Sequence, residues 1–241
     1  MSDLQRMQRE YEVRKTRTVY ANRYSAFNTA GLFIKLQRER EILRLLRDTG
    51  IDSLKNHKIL EIGCGSGSVL VEFLNFGARP RNLYGVDLIQ DRVREAHSRL
   101  AGSNISCVNG QYVPFPSQSF DMVMQFTALS SILDACIRQD IAGEMLRVLR
   151  PDGLILWYDF WTNPINRQTH GIRPDELRAI FPNCRYTFRR ITLAPPLARA
   201  LAPISWVGAM LLESLKVFNS HYLVAIQPGP NRQPAYQPPV V

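Results

Sequence analysis

Cysteine and histidine are scarce in this chain, with four of each among 241 residues. Cys64, Cys107, Cys136 and Cys184 show neither C-x-x-C spacing nor a framework pattern, which argues against a disulfide-stapled scaffold. No histidine cluster completes a metal site with them, so no metal is expected. Long apolar runs are also missing. The longest in the C-terminal third, Ala200 to Leu212, is about a dozen residues, short of the roughly 20 that span a bilayer. The first residues, Met1-Ser2-Asp3-Leu4-Gln5-Arg6, hold nothing resembling the apolar part of a signal peptide. The protein is therefore expected in the cytoplasm, at the inner face of a membrane if it touches one.

What is present is concentrated in one stretch. The apolar run Ile59-Leu60-Glu61-Ile62 leads straight into Gly63-Cys64-Gly65-Ser66-Gly67. Three alternating glycines at the end of a strand let backbone amides close on a small molecule. A second apolar run, Asn82-Leu83-Tyr84-Gly85-Val86-Asp87, ends in a carboxylate placed to accept the two hydroxyls of a ribose. The glycine pattern is G-x-G-x-G preceded by Glu61, whereas the dinucleotide fingerprint puts its third glycine one place later.

Here the chain resembles the class I S-adenosylmethionine-dependent methyltransferases, specifically the type 11 methyltransferase domain. The resemblance covers roughly residues 58 to 160. It continues through Asn109-Gly110-Gln111-Tyr112-Val113-Pro114-Phe115-Pro116, then Ser119-Phe120-Asp121-Met122-Val123, then Arg147-Val148-Leu149-Arg150-Pro151-Asp152-Gly153. It implies S-adenosylmethionine as cofactor. Glu61 would face the cationic amino end of the methionine, and Gly63, Gly65 and Gly67 would line that moiety. Asp87 would take the ribose, Leu88 the adenine face, and Asn109 and Gly110 the adenine amino group, where the family usually has an acid and an alanine. Gln125 would face the crevice.

The alternation of apolar patterns agrees with an α/β, Rossmann-like domain. Strands are predicted near 58–62, 82–87, 105–108, 121–126 and 154–160, with helices near 31–47, 69–76, 91–100 and 133–149. The first helix is predicted to pack through Leu32, Leu36, Leu43 and Leu46. Two more strands, near 185–193 and 221–227, would complete the seven-stranded, mostly parallel sheet that the resemblance implies, with its last strand antiparallel and helices on both faces. Residues 1–50 are predicted as a helical cap, 51–227 as the methyltransferase domain, and the proline-rich 228–241 as a disordered tail.

Charge is unevenly spread. Residues 1–50 hold eleven Lys and Arg against six Asp and Glu, and residues 161–241 hold nine against three, leaving the region between them slightly acidic. Basic appendages suit a small or carrier-linked acceptor that is anionic. A nucleic acid partner ranks lower, although aromatics including Tyr20 and Tyr24 are interleaved with the N-terminal arginines; these two could instead close over the cofactor as a lid. The apolar segment 194–217 is open to four readings: lid, dimer surface, interfacial helix, or simple packing on the sheet. Methyl transfer needs a base only if the nucleophile must lose a proton. Asp159 and then His170 are the candidate catalytic groups, with His221 third. The strand end Trp157-Tyr158-Asp159-Phe160 and the basic, apolar insertion resemble bacterial type 11 enzymes associated with surface glycans and secondary metabolites. O-methylation of such an acceptor is the expectation, with an RNA methyltransferase and a non-catalytic cofactor-binding protein as alternatives.

Overall fold

A computed structural model describes residues 3–15, 27–163, 166 and 168–229. Tyr20, Tyr24 and the tail beyond Gly229 lie outside the described residues. Seven strands form one sheet in the order β3-β2-β1-β4-β5-β7-β6: β1 (Ile59–Ile62), β2 (Leu83–Asp87), β3 (Asn104–Cys107), β4 (Phe120–Phe126), β5 (Leu149–Phe160), β6 (Cys184–Leu193) and β7 (Asn219–Pro228). The pairs among β1 to β5 are parallel, while β7 runs antiparallel to both β5 and β6. The order reverses between β1 and β4, and such a switch point opens a crevice beyond the carboxyl ends of the strands.

Eight α-helices are described: α1 (Asp3–Lys15), α2 (Thr29–Asp48), α3 (Ser68–Asn75), α4 (Gln90–Arg99), α5 (Ala135–Val148), α6 (Pro174–Ile180), α7 (Pro195–Leu201) and α8 (Trp206–Ser214). One face of the sheet, through Ile59, Met122, Met124 and Leu156, packs on Ile42, Leu45, Phe73 and Ala96 of α2, α3 and α4. The other face, through Leu60, Val123, Ile155 and Trp157, packs on Ile141, Met145 and Leu177 of α5 and α6. Burial on both faces is what a parallel sheet requires, and it explains why β1 is buried at all four positions.

Local chemistry sets the helix starts. The Asn28 side chain accepts the Gly31 N–H at 3.1 Å, and that of Asp134 accepts the Cys136 N–H at 2.8 Å, so each serves as an N-cap. The packed stripe of α2 differs from the prediction. Leu36 and Leu43 are exposed, and the buried positions are Ala30, Phe33, Gln37, Glu41, Ile42, Leu45 and Leu46. Charged groups enter this interface with partners, Arg38 pairing with Glu72 of α3 and Arg189 of β6 with Glu41, whereas the buried Gln37 Oε1 has no hydrogen-bond partner among the described residues. Strand β5 begins at Leu149, earlier than predicted, with a register shift against β4 between Phe120 and Met122. Pro228, placed in the tail by sequence, ends β7.

Trp157 sits in the middle of this framework, 1% exposed and edge-on to Phe181 at 5.8 Å. Trp157→Ala is expected to cost about 3–5 kcal/mol of stability by urea unfolding; a loss below 1 kcal/mol would show that β5 is not central to the core.

Candidate cofactor site

The glycine loop is tied down from below. Gly63 and Cys64 both donate their N–H to Val86 O, at 2.8 and 3.0 Å, which fixes the loop to β2. Gly63 has φ +74°, and a Cβ there would meet the Ala128 Cβ at 2.5 Å, so no larger residue fits without displacing the turn after β4. Gly65 has φ +55° and lies against the Arg92 guanidinium.

Asp87 is the strut of the loop. Its Oδ2 accepts the Gly65 N–H at 2.8 Å and its Oδ1 accepts the Ile89 N–H at 2.9 Å. A carboxylate has about four acceptor positions, so two remain for the vicinal hydroxyls of a ribose. Arg92, on α4, brings Nη1 to 3.9 Å from Asp87 Oδ2, and its guanidinium lies 5.4 Å over the Tyr11 ring of α1.

Glu61 is 2% exposed, and its Oε2 has no hydrogen-bond partner among the described residues. Burial, reinforced by the charges of Glu72 and Asp87, holds its carboxyl well above the usual carboxylate range, while Arg38 and Arg92 oppose the shift. A buried acid with an orphaned oxygen beside a glycine loop fits a ligand that carries a cationic amino group. Arg38 reaches this cluster from α2: its Nη2 lies 2.6 Å from Glu72 Oε1, and its guanidinium sits 5.4 and 5.7 Å from the Tyr158 and Phe126 ring centroids. The residues therefore fit the methionine and ribose ends of S-adenosylmethionine.

At the adenine end, Asn109 forms a local turn, its Oδ1 accepting the Gln111 N–H at 3.1 Å. A Cβ on Gly110 would press on Ile62 Cγ2 at 3.0 Å. Leu88 is half-buried beside them. Gln125 is fully buried: its Oε1 accepts the N–H groups of Ala128 and Leu129, and its Nε2 donates to Tyr158 O. Its amide shapes the turn that faces Gly63.

Asp159 and His170 converge on Ser130. The Asp159 Oδ2 accepts the Ser130 N–H at 3.0 Å, and the His170 N–H donates to Ser130 O at 2.7 Å. Their side chains then part. Asp159 is 1% exposed, and burial pushes its pKa up to about 6 against the hydrogen bonds that lower it. The His170 ring is exposed and meets Glu176 of α6 at 2.9 Å. His221 is buried, stacked on Tyr158 at 4.7 Å, and burial pushes its pKa down to about 3. Tyr158 Oη pairs with Thr192 Oγ1 at 2.8 Å. Thr127 and Thr192 both have positive φ, +55° and +68°, which a β-branched residue rarely adopts outside a constrained site.

Sequence reasoning missed Arg38, Arg92, Ser130 and the Tyr158–Thr192 pair. Each gains its meaning from a partner far along the chain, as Arg38 does from Glu72, and no local pattern signals that. Among the described residues no group of three or more His, Cys, Asp or Glu is placed to hold a metal.

Residues 59–153 match the family model described as a methyltransferase domain. The chain is 29% identical over 150 residues to 24-methylenesterol C-methyltransferase 2 of Oryza sativa subsp. japonica, covering 58% of this chain and 39% of that one. It is 31% identical over 117 residues to tRNA N(3)-cytidine methyltransferase METTL2 of Gallus gallus, covering 45% and 31%. It is 25% identical over 160 residues to the ubiquinone/menaquinone biosynthesis C-methyltransferase UbiE of Saccharophagus degradans, covering 58% and 62%. The chain thus spans less than two thirds of the length of these curated relatives. Among solved structures, geranyl diphosphate C-methyltransferase from Streptomyces coelicolor A3(2) shares the fold with a TM-score of 0.56 at 16% identity, over 78% of this chain and 76% of that one. A methyltransferase from Methanosarcina mazei does so at 0.53 and 19%, over 73% and 94%.

Two outcomes follow from this geometry. Asp87→Ala should weaken S-adenosylhomocysteine binding at least about tenfold, on the order of 1.5–3 kcal/mol; unchanged affinity by calorimetry would remove Asp87 from the site. Asp159, with its folded pKa above the unfolded value of 3.8, binds its proton more tightly in the folded protein. Its contribution to stability is therefore largest below about pH 4, falls as pH rises towards 6, and stays low above that. Asp159→Asn should be stabilised relative to wild type more at pH 7 than at pH 4 in urea unfolding, by on the order of 2–3 kcal/mol; a pH-independent difference would contradict the shift.

Proposed function

We propose that this chain, whose residues 59–153 match the model of a methyltransferase domain, is a class I S-adenosylmethionine-dependent methyltransferase that methylates an oxygen of a small or carrier-linked acceptor, a glycan or secondary metabolite. The observation that carries the reading is the pairing of Asp87, fixed by two amides with acceptor positions to spare, with Glu61, a buried acid whose Oε2 has no partner among the described residues.

When bound, the cofactor's sulfonium supplies an electrophilic methyl group. The chain's part is then to orient both reactants and to take up a proton. Glu61 holds the amino end of the cofactor, Asp87 the ribose, and Leu88, Asn109 and Gly110 the adenine. The acceptor enters where β4 and β5 end and β7 begins, beside Thr127, Phe160 and His221, the last two being register partners. Asp159 is the better placed acid–base group. Its pKa of about 6 keeps it mostly ionised near neutrality yet close enough to accept a proton. His170 serves at the rim, paired with Glu176. The surplus of basic residues within 161–241 favours an anionic acceptor.

A second reading, methylation at carbon of an apolar acceptor, is favoured by the relatives named for sterols and quinones. The relative named for tRNA keeps RNA on the test panel. Purified protein with S-adenosylmethionine labelled in its methyl group is expected to transfer label to a glycan or phenolic hydroxyl. Transfer to a quinone or sterol precursor would establish the second reading, and transfer to tRNA would replace both. Micromolar binding of S-adenosylhomocysteine without label transfer to any acceptor class would support a non-catalytic cofactor-binding protein.

A further inference from the structure

The segment between β6 and β7 is built the wrong way round for a helix pair that only packs on the core. It leaves the sheet at Leu193 and returns at Asn219, which are register partners. It therefore rises from the same edge as Phe160 and His221. The inward face of α7 and α8 is small: Ala198, Ala202 and Ala209 pack on Ala30, Phe33 and Leu193. Trp206 meets Phe33 edge-on at 5.2 Å. The single acid of the segment, Glu213, is also turned inward, where its Oε1 accepts the Thr192 N–H at 3.0 Å.

Leu201, Trp206 and Leu212 also pack inward, but most of the large apolar side chains of the segment point the other way. Ile204 is 83% exposed, Val217 69%, Val207 67%, Leu211 64% and Leu215 61%. Eight of the fourteen exposed large hydrophobics of the described chain lie between positions 197 and 218. A surface helix ordinarily buries its apolar stripe and exposes its charges; α8 buries Ala209 and Glu213 while exposing Val207 and Leu211. The two remaining charged residues of the segment, Arg199 and Lys216, are exposed and both cationic. No acid is exposed from 194 to 218.

We propose that the α7–α8 surface docks on an anionic lipid bilayer, seating Ile204, Val207, Leu211, Leu215 and Val217 in the interface with Arg199 and Lys216 among the headgroups. Apolar side chains flanked by cations, with no exposed acid, are what such a surface attracts. A second copy of the chain fits less well, because a two-fold pairing sets each patch against its own likeness and would bring cation towards cation. Among the described residues no helix is long and apolar enough to cross a membrane, so contact would be peripheral. The inference does not depend on which acceptor is methylated.

Flotation of the full chain with vesicles tests it, using phosphatidylcholine alone and phosphatidylcholine with phosphatidylglycerol. The protein is expected to float with the anionic vesicles and far less with the neutral ones. The double variant Ile204→Ser, Leu211→Ser keeps every charge and changes only exposed side chains. It should partition at least about tenfold more weakly while S-adenosylhomocysteine binding and Tm stay at the wild-type values. Arg199→Ala with Lys216→Ala should weaken anionic binding and its salt sensitivity. Three results would overturn the proposal: no flotation of wild type; flotation of the apolar variant equal to wild type, which would mean attraction by net charge alone; or a wild-type dimer in equilibrium sedimentation that the apolar variant dissociates, without vesicle binding.

Discussion

Three acids crowd the ends of β1, β2 and α3 with little water to solvate them. Glu61 and Asp87 are buried beside the glycine loop, and Glu72 is buried behind it. Buried carboxylates must find cations or protonate, and the fold supplies two guanidiniums from outside the strands. Arg38 clamps α2 onto α3 through Glu72 and lies over the Tyr158 and Phe126 rings. Arg92 brings α4 up to Asp87 and Gly65. Helix α2 is thereby joined to the site by charge as well as by its apolar stripe. Glu61 still keeps an oxygen without a partner among the described residues, and that remaining demand for a cation is the clearest chemical statement the site makes.

A second set of constraints shapes the edge where an acceptor would enter. Gln125 spends its amide on the turn after β4, and Asp159 receives the Ser130 N–H from the same turn. The first helix reinforces this loop from above: the Asp3 carboxylate accepts the N–H groups of Leu133 and Asp134, and Arg6 donates to Ser131 O. With Thr127 and Thr192 held at positive φ on either side, the edge is over-determined by its surroundings, which is how strained backbone persists. Rigid positioning of this kind is most of what an in-line transfer asks of a protein.

The chain's two basic ends now have different meanings. Near the N-terminus, Arg6, Arg38 and Arg44 of α1 and α2 are engaged with acids or carbonyl groups. Within the insertion Arg199 and Lys216 stay exposed among apolar side chains, while the one acid, Glu213, is turned inward. Net charge alone, read from composition, would have credited both ends equally with attracting an anionic acceptor.

The element order, the parallel core and the glycine loop with its neighbouring acid were legible because they are written locally. An apolar strand, a loop needing positive φ, and an acid at the next strand end are each a matter of a few neighbouring residues, and their spacing is set by one βαβ unit. Side-chain direction was not legible. The stripe of α2 was misjudged because Glu41 could be buried once Arg189 of β6 met this helix. The insertion stayed open between lid, dimer surface, interfacial helix and simple packing, since nothing in its pattern says that Glu213 turns in towards Thr192 and Leu211 turns out. Sequence by itself determined which strands and which glycine loop the chain builds; only tertiary structure decided which charges are satisfied, because a buried charge is paired through space, as Glu72 is by Arg38, 34 positions earlier in the chain.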